Sequence, residues 1–188
     1  MIANKRICIA RIVITTCVGS WYAMMAAHEF GHVVGAWLSG GRVERIVLEF
    51  FSFSRTDVSP NPHPLIVVWA GPIVGSLLPL LAWATNRLIN KTSDLIARFW
   101  AAFCLLANGL YIGAGSFGRI GDAGDMLAAG SPMWMLVTFG IITAAAGLAL
   151  FNGLGPRFGF GPNGRISPRD LAAATVFCAV SLIIVAAL

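Results

Sequence analysis

The sequence predicts an all-α integral membrane protein with about five transmembrane helices and a short β-strand or hairpin element after the first. Three observations carry that class. Apolar side chains make up 57% of the 188 residues and charged ones only 11%, where soluble domains carry about 25%. Mean hydropathy is +0.80. The apolar residues fall into five runs set apart by Gly, Pro and charge; four are near the ~20 residues that cross a bilayer as a helix, and the first is longer, with room for a tilted or interfacial part. The net charge is +5, but no Lys/Arg cluster is interleaved with aromatics. The basic balance therefore reads as loop charge that sets topology, and nucleic acid is not an expected partner. With no long linker, second domain or repeat, one polytopic membrane domain is expected over residues 1–188.

The first span is expected over 12–38, with Ile7 as an alternative start. Lys5, Arg6, the apolar run and Ala26-Ala27 imitate a signal peptide. Arg11 interrupts the run, however, and apolar character continues to Leu38, so cleavage would cut a continuous helix. Ser39-Gly40-Gly41 ends it, as Gly past a helix should.

Residues 42–60 mix β-formers (Val43, Ile46, Val47, Leu48, Phe50, Phe51, Phe53) with Arg45, Glu49, Ser52 and Ser54. That is too polar for a span. One or two short strands are expected. They form either a hairpin dipping toward the membrane, where non-helical backbone must be buried in protein or wetted, or an ordinary extramembrane hairpin.

Asn61-Pro62-His63-Pro64 breaks the chain, because Pro biases its predecessor to extended geometry. The second span, 64–85, holds Ala70-Gly71-Pro72. Gly71 and Gly75 have the G-x-x-x-G spacing that admits a close neighbour, and Pro72 frees a backbone carbonyl. The third span, 95–113, contains Asn108. Residues 114–132 read as a Gly-rich loop with Arg119, Asp122 and Asp125. Spans at 133–151 and 171–188 follow, separated by a polar loop, with four spans as the alternative count. Cys8, Cys17, Cys104 and Cys178 form no C-x-x-C pair and read as buried small hydrophobes. Lys5, Arg6, Arg11, Arg87, Lys91, Arg98, Arg157, Arg165 and Arg169 fall on the N-terminal side, and Arg42, Arg45, Arg55 and Arg119 on the other. This places the N-terminus in the cytoplasm.

The chemistry lies in the first span. His28-Glu29-Phe30-Gly31-His32 fits H-E-x-x-H. On a helix, i and i+4 share one face about one turn apart, so two imidazoles can grip one metal ion. The Glu between them can take a proton from water at that ion. Ionisable groups at membrane depth mark function by default.

Two histidines leave the site one ligand short, since a catalytic zinc has three protein ligands and an open position. Glu44, Glu49, Asp57, Asp94 and Asp170 sit in loops or at span ends as ordinary solvated charge, and His63 reads as an interfacial loop histidine. Asp122 and Asp125 remain. The third span returns the chain to the motif's side, so either can reach it without a charge crossing the bilayer. Asn108 reads as bonding a neighbouring helix, or alternatively as holding a substrate backbone.

HEFGH in a membrane helix, Gly-Gly and a strand-like loop, A-G-P in the next span and a distal Asp resemble the site-2 protease family of intramembrane zinc metalloproteases, in a minimal form without a PDZ domain. The resemblance covers roughly residues 20–130. It implies one Zn²⁺ per chain, His28 and His32 as ligands and Glu29 as general base. It also implies Asp122 as third ligand, through Asp122-Ala123-x-x-Met126. Ala123 stands where the family has Gly, and the family's Asn-Pro before that Asp is missing, with Asn108 a substitute. Asn108, Gly71 and Pro72 become substrate-binding residues, and the strand-like loop becomes the element that holds substrate extended.

The implied reaction is hydrolysis of a peptide bond in or near a transmembrane segment of a membrane-protein substrate. The implied setting is a bilayer, the bacterial-type cytoplasmic membrane. A PDZ-like gating domain has no room here, so gating is absent or falls to a regulatory membrane partner. Two other readings stand beside it: a catalytically inactive zinc-binding membrane scaffold, and a proton- or cation-coupled transporter in which His28, Glu29 and His32 form a relay. The small size and lack of a repeat argue against the transporter.

Overall fold

The structure, a computed structural model, describes residues 2–50, 54–89 and 94–187. Phe51, Ser52, Phe53, Lys91 and Leu188, used in the reading above, lie outside the described residues. In order come α1 (Ile2–Leu38), β1 (Val43–Val47), β2 (Arg55–Val58), α2 (Pro64–Ile89), α3 (Leu95–Gly118), α4 (Gly121–Ala128), α5 (Met133–Phe151), a 3-10 turn (Gly155–Phe158) and α6 (Pro168–Ala187). All but α4 among the α-helices are long and apolar enough to cross a membrane. The chain is an all-α integral membrane protein with a small two-stranded sheet.

Several boundaries differ from the sequence reading. α1 starts at Ile2 rather than at residue 12, because Lys and Arg are good helix formers and hydropathy fades before helicity does. Its 37 residues span about 55 Å, well beyond a hydrocarbon core of about 30 Å. α3 runs on to Gly118 and is followed by the short α4, where a loop was expected. α6 begins at Pro168, a residue suited to the first helical turn. The cysteine expectation holds for Cys104 and Cys178 but not for Cys17, which is exposed, or Cys8, which is half-buried.

Glycine sets the helix contacts. A Cβ on Gly31 would strike the Ala70 carbonyl, and one on Gly35 would lie 3.1 Å from Val67 Cα, so α1 lies directly on α2. On the far side of α3, a Cβ on Gly113 would lie 3.0 Å from Gly140 Cα in α5. Small residues at such spacings let helices pack without a hydrophobic driving force. α5 and α6 leave Ile141, Ile142, Leu148, Val176 and Ile183 exposed on the isolated chain, a surface for lipid.

β1 and β2 pair antiparallel, with Ile46 opposite Thr56 and Val47 opposite Arg55. Leu48 joins Met25 of α1 and Val185 of α6 in a small core. The hairpin therefore rests against the bundle. α4 is seated by Ala123 and Met126, both fully buried, against Val68, Ile112 and Leu136. The small residue and the apolar residue of the Asp122-Ala123-x-x-Met126 pattern are thus the two that bury, and they turn Asp122 inward.

Candidate metal centre

His28, Glu29 and His32 are buried on one face of α1, with one ligand atom from each within 4.8 Å of the others. Helical spacing brings the imidazoles together, 4.8 Å between ring centroids. Other helices orient them. Asn108 of α3 donates through Nδ2 to the Cys104 carbonyl at 2.9 Å, which turns its Oδ1 toward His28. His28 Nδ1–H donates to that oxygen at 2.7 Å. His32 Nδ1–H donates to the Val67 carbonyl of α2 at 2.9 Å. Oxygen acceptors at both Nδ1 atoms select the tautomer that leaves the Nε2 lone pairs for a metal.

The third group comes from α4. Asp122 Oδ2 lies 2.6 Å from His28 Nε2 and 3.3 Å from His32 Nε2. Asp125 also lines the cavity but is exposed. Two imidazole nitrogens and a carboxylate oxygen are a donor set that suits zinc. The 3.3 Å between His32 and Asp122 matches the spacing of about 3.3 Å that two ligands of a tetrahedral zinc adopt at bond lengths near 2.0–2.1 Å, while the 2.6 Å between His28 and Asp122 is shorter and would widen around an ion. Gly71 keeps the place open: a Cβ there would strike the His32 ring and lie 2.9 Å from His28 Nε2. The residues present therefore fit a zinc ion.

Around this cluster lies a cavity of about 970 Å³ whose lining includes Met25, Ser54, Thr56, Val68 and Asn108. The hairpin forms one wall. Thr56 of β2 donates through Oγ1 to Glu29 Oε2 at 2.7 Å, so the acid between the two histidines is held from the sheet. Tyr111, one turn beyond Asn108 on α3, sets its ring edge against His28 at 5.9 Å between centroids.

Of the residues expected to meet substrate, Asn108 lines the cavity while bonding His28. Gly71 packs beneath the imidazoles, and Pro72 is fully buried within α2; neither lines the cavity. His63 is exposed just before α2 and does not line the cavity. Three features went unread in the sequence. Gly31 and Gly35 repeat the G-x-x-x-G spacing inside the motif helix. Tyr111 follows Asn108 at i+3, and so on its face. Thr56 carries no local signal, because its contact depends on how the hairpin folds back.

Neither a curated protein nor a solved structure matches the chain. Residues 7–120, well over half of the sequence, match the Peptidase M50B-like family. The matched stretch holds His28, Glu29, His32, the hairpin, Gly71 and Asn108. It stops short of Asp122, whose place here rests on its contacts. With HEFGH on a membrane helix and a family match across the first three spans, the chain belongs to the M50B-like peptidases, within the site-2 protease family of intramembrane metalloproteases.

Proposed function

We propose that this chain is an active zinc metalloendopeptidase that hydrolyses a peptide bond in or near a transmembrane segment of a membrane-protein substrate. The observation that carries the reading is the convergence of Asp122 Oδ2 on His28 Nε2 and His32 Nε2, with Glu29 held beside them by Thr56. In this reading His28, His32 and Asp122 hold the ion. When bound, zinc supplies Lewis acidity that acidifies water and polarises a carbonyl. Glu29 accepts the proton of the attacking water at its carboxylate and returns it to the leaving nitrogen. Asn108 and the Val67 carbonyl keep both imidazoles in the ligating tautomer. Substrate lies extended along the hairpin wall, because helical carbonyls are hydrogen-bonded and shielded; helix-breaking residues near the cut favour cleavage. The clustering of Lys and Arg at the N-terminal end of α1 supports a cytoplasmic N-terminus.

The test uses purified protein in lipid vesicles with candidate membrane-spanning substrates. Cleavage is expected to stop on chelation and return with Zn²⁺. Glu29→Gln is expected to keep one zinc per chain while losing cleavage by about 10²–10⁴-fold. A wild-type chain that binds zinc and cuts none of a broad substrate panel supports instead the inactive scaffold. A chain that binds no zinc overturns both.

A further inference from the structure

The start of α4 carries a group that its own sequence does not provide for. The first N–H groups of a helix lack intrahelical partners, and an N-cap Ser, Thr, Asp or Asn ordinarily accepts from the second or third helical residue. In α4 the N-cap position is Ile120, in extended backbone geometry and with no side-chain cap. Asp122 is the second helical residue, so its N–H is one of those left over. The phenol oxygen of Tyr111 accepts it, at 3.2 Å. Tyr111 belongs to α3, eleven residues earlier. It reaches the N–H because Gly121 has no side chain: a Cβ there would collide with the Tyr111 hydroxyl. Gly121 also has φ +51, a left-handed geometry that glycine adopts at little cost.

We propose that Tyr111 is a positioning residue that caps α4 from the neighbouring helix and thereby holds Asp122 over His28 and His32. The inference rests on the reading of those three residues as the metal ligands. Asn108 and Tyr111, one turn apart on α3, then form a two-point template, the first fixing His28 and the second fixing Asp122. The register between α1 and α4 is set by a helix that supplies no ligand itself. Loss of the Tyr111 oxygen frees the first turn of α4, and the carboxylate with it, while the ring and its packing remain.

The experiment measures Zn²⁺ affinity of the full chain in detergent or vesicles, together with the visible absorption of the Co²⁺-loaded site. Tyr111→Phe is expected to weaken Zn²⁺ binding by about 10–100-fold, the usual cost of removing an outer partner of a metal site. It is also expected to alter the Co²⁺ spectrum with helical content unchanged. Ile120→Ser on the Tyr111→Phe background supplies a local N-cap acceptor and is expected to restore both readouts. A folded Tyr111→Phe protein with wild-type affinity and spectrum overturns the proposal, as does a loss that Ile120→Ser fails to repair. Should Tyr111→Phe alone not fold, the double variant decides: wild-type affinity supports the cap, and weakened affinity overturns it. Asp122→Asn separates the two levels. Unchanged zinc binding in that variant removes the ligand reading itself, whereas loss of zinc there with full binding in Tyr111→Phe removes only the role of Tyr111.

Discussion

Two shielded aspartates flank α3 in the sequence, Asp94 at its start and Asp122 in the α4 that follows it, and the two are held in different ways. Asp94 receives Arg157 Nη1 at 2.6 Å, Arg87 Nη1 at 3.3 Å and Trp83 Nε1 at 3.2 Å. Past the far end of α3 the chain folds back along that helix, and among the described residues Asp122 of α4 meets the two imidazoles and the Tyr111 phenol. Permanent cations satisfy Asp94 outright and tie α2, α3 and the 3-10 turn together. The imidazole partners of Asp122 carry ring nitrogens of a kind that can ligate a metal. The difference teaches what to look for in a membrane protein: a carboxylate held by arginine is a clamp, whereas one held by tautomer-fixed histidines belongs to a site that exchanges protons or binds metal.

The widest separation of the two aspartates comes from removing one partner of each. His32→Ala is expected to take bound zinc from about one per chain to near zero, since two protein ligands rarely retain the ion. Arg157→Ala is expected to leave zinc at one per chain and to lower thermal stability instead. Metal analysis beside a melting curve in the same detergent reads both. Equal zinc loss in the two variants would erase the distinction between clamp and site.

Thr56 lines the same cavity as Asp122, and the effect expected there is smaller. Its hydroxyl fixes the Glu29 carboxylate at 2.7 Å, so Thr56→Val keeps the shape of the strand and removes one hydrogen bond to a charged group. Such a bond contributes about 1.5 kcal/mol or somewhat more, which corresponds to roughly tenfold in rate. The expectation is a fall of about tenfold in kcat with KM and zinc content unchanged, and recovery in Thr56→Ser. A change in KM alone would make Thr56 a substrate contact rather than a support for the base.

How much of this the sequence disclosed follows from which interactions are local. The five spans are written in hydropathy, and the pairing of His28 with His32 in helical spacing. Both depend on neighbours in the chain. The extra turns of α1 escaped because charged residues end an apolar run without ending a helix. α4 escaped because Gly121 and Gly124 read as loop, while its stability comes from Ala123 and Met126 sinking into a core built by α2, α3 and α5. The supports of the site were the least legible. Asn108 drew attention as a lone amide in a span, but its meeting with His28 spans 80 positions and that of Thr56 with Glu29 spans 27. Only the packed helices and the folded-back hairpin bring them together.

The smallest expected effect concerns pH and tests whether Asp94 is a clamp. Burial works to raise its carboxyl, but the hydrogen bonds from Arg157 and Trp83 and the charge of Arg157 outweigh this and hold it below the usual range. A carboxylate lowered on folding stabilises the fold fully above its unfolded value, about 3.9 for Asp. That contribution is lost as pH falls through the lower folded value. Asp94→Asn is therefore expected to melt lower than wild type at neutral pH, with the gap narrowing as the pH drops below about 4. The gap at neutral pH should be near 1 kcal/mol, because Arg87 is largely exposed and Arg157 keeps a second carboxylate, Asp170, at 3.5 Å. Asp170 also explains why the clamp tolerates the loss: Arg157 is left with a partner. A gap that stays constant into acid would mean that the arginines stabilise this end through packing and carbonyl contacts such as Arg98 to Leu150 and Asn152, and not through the charge of Asp94.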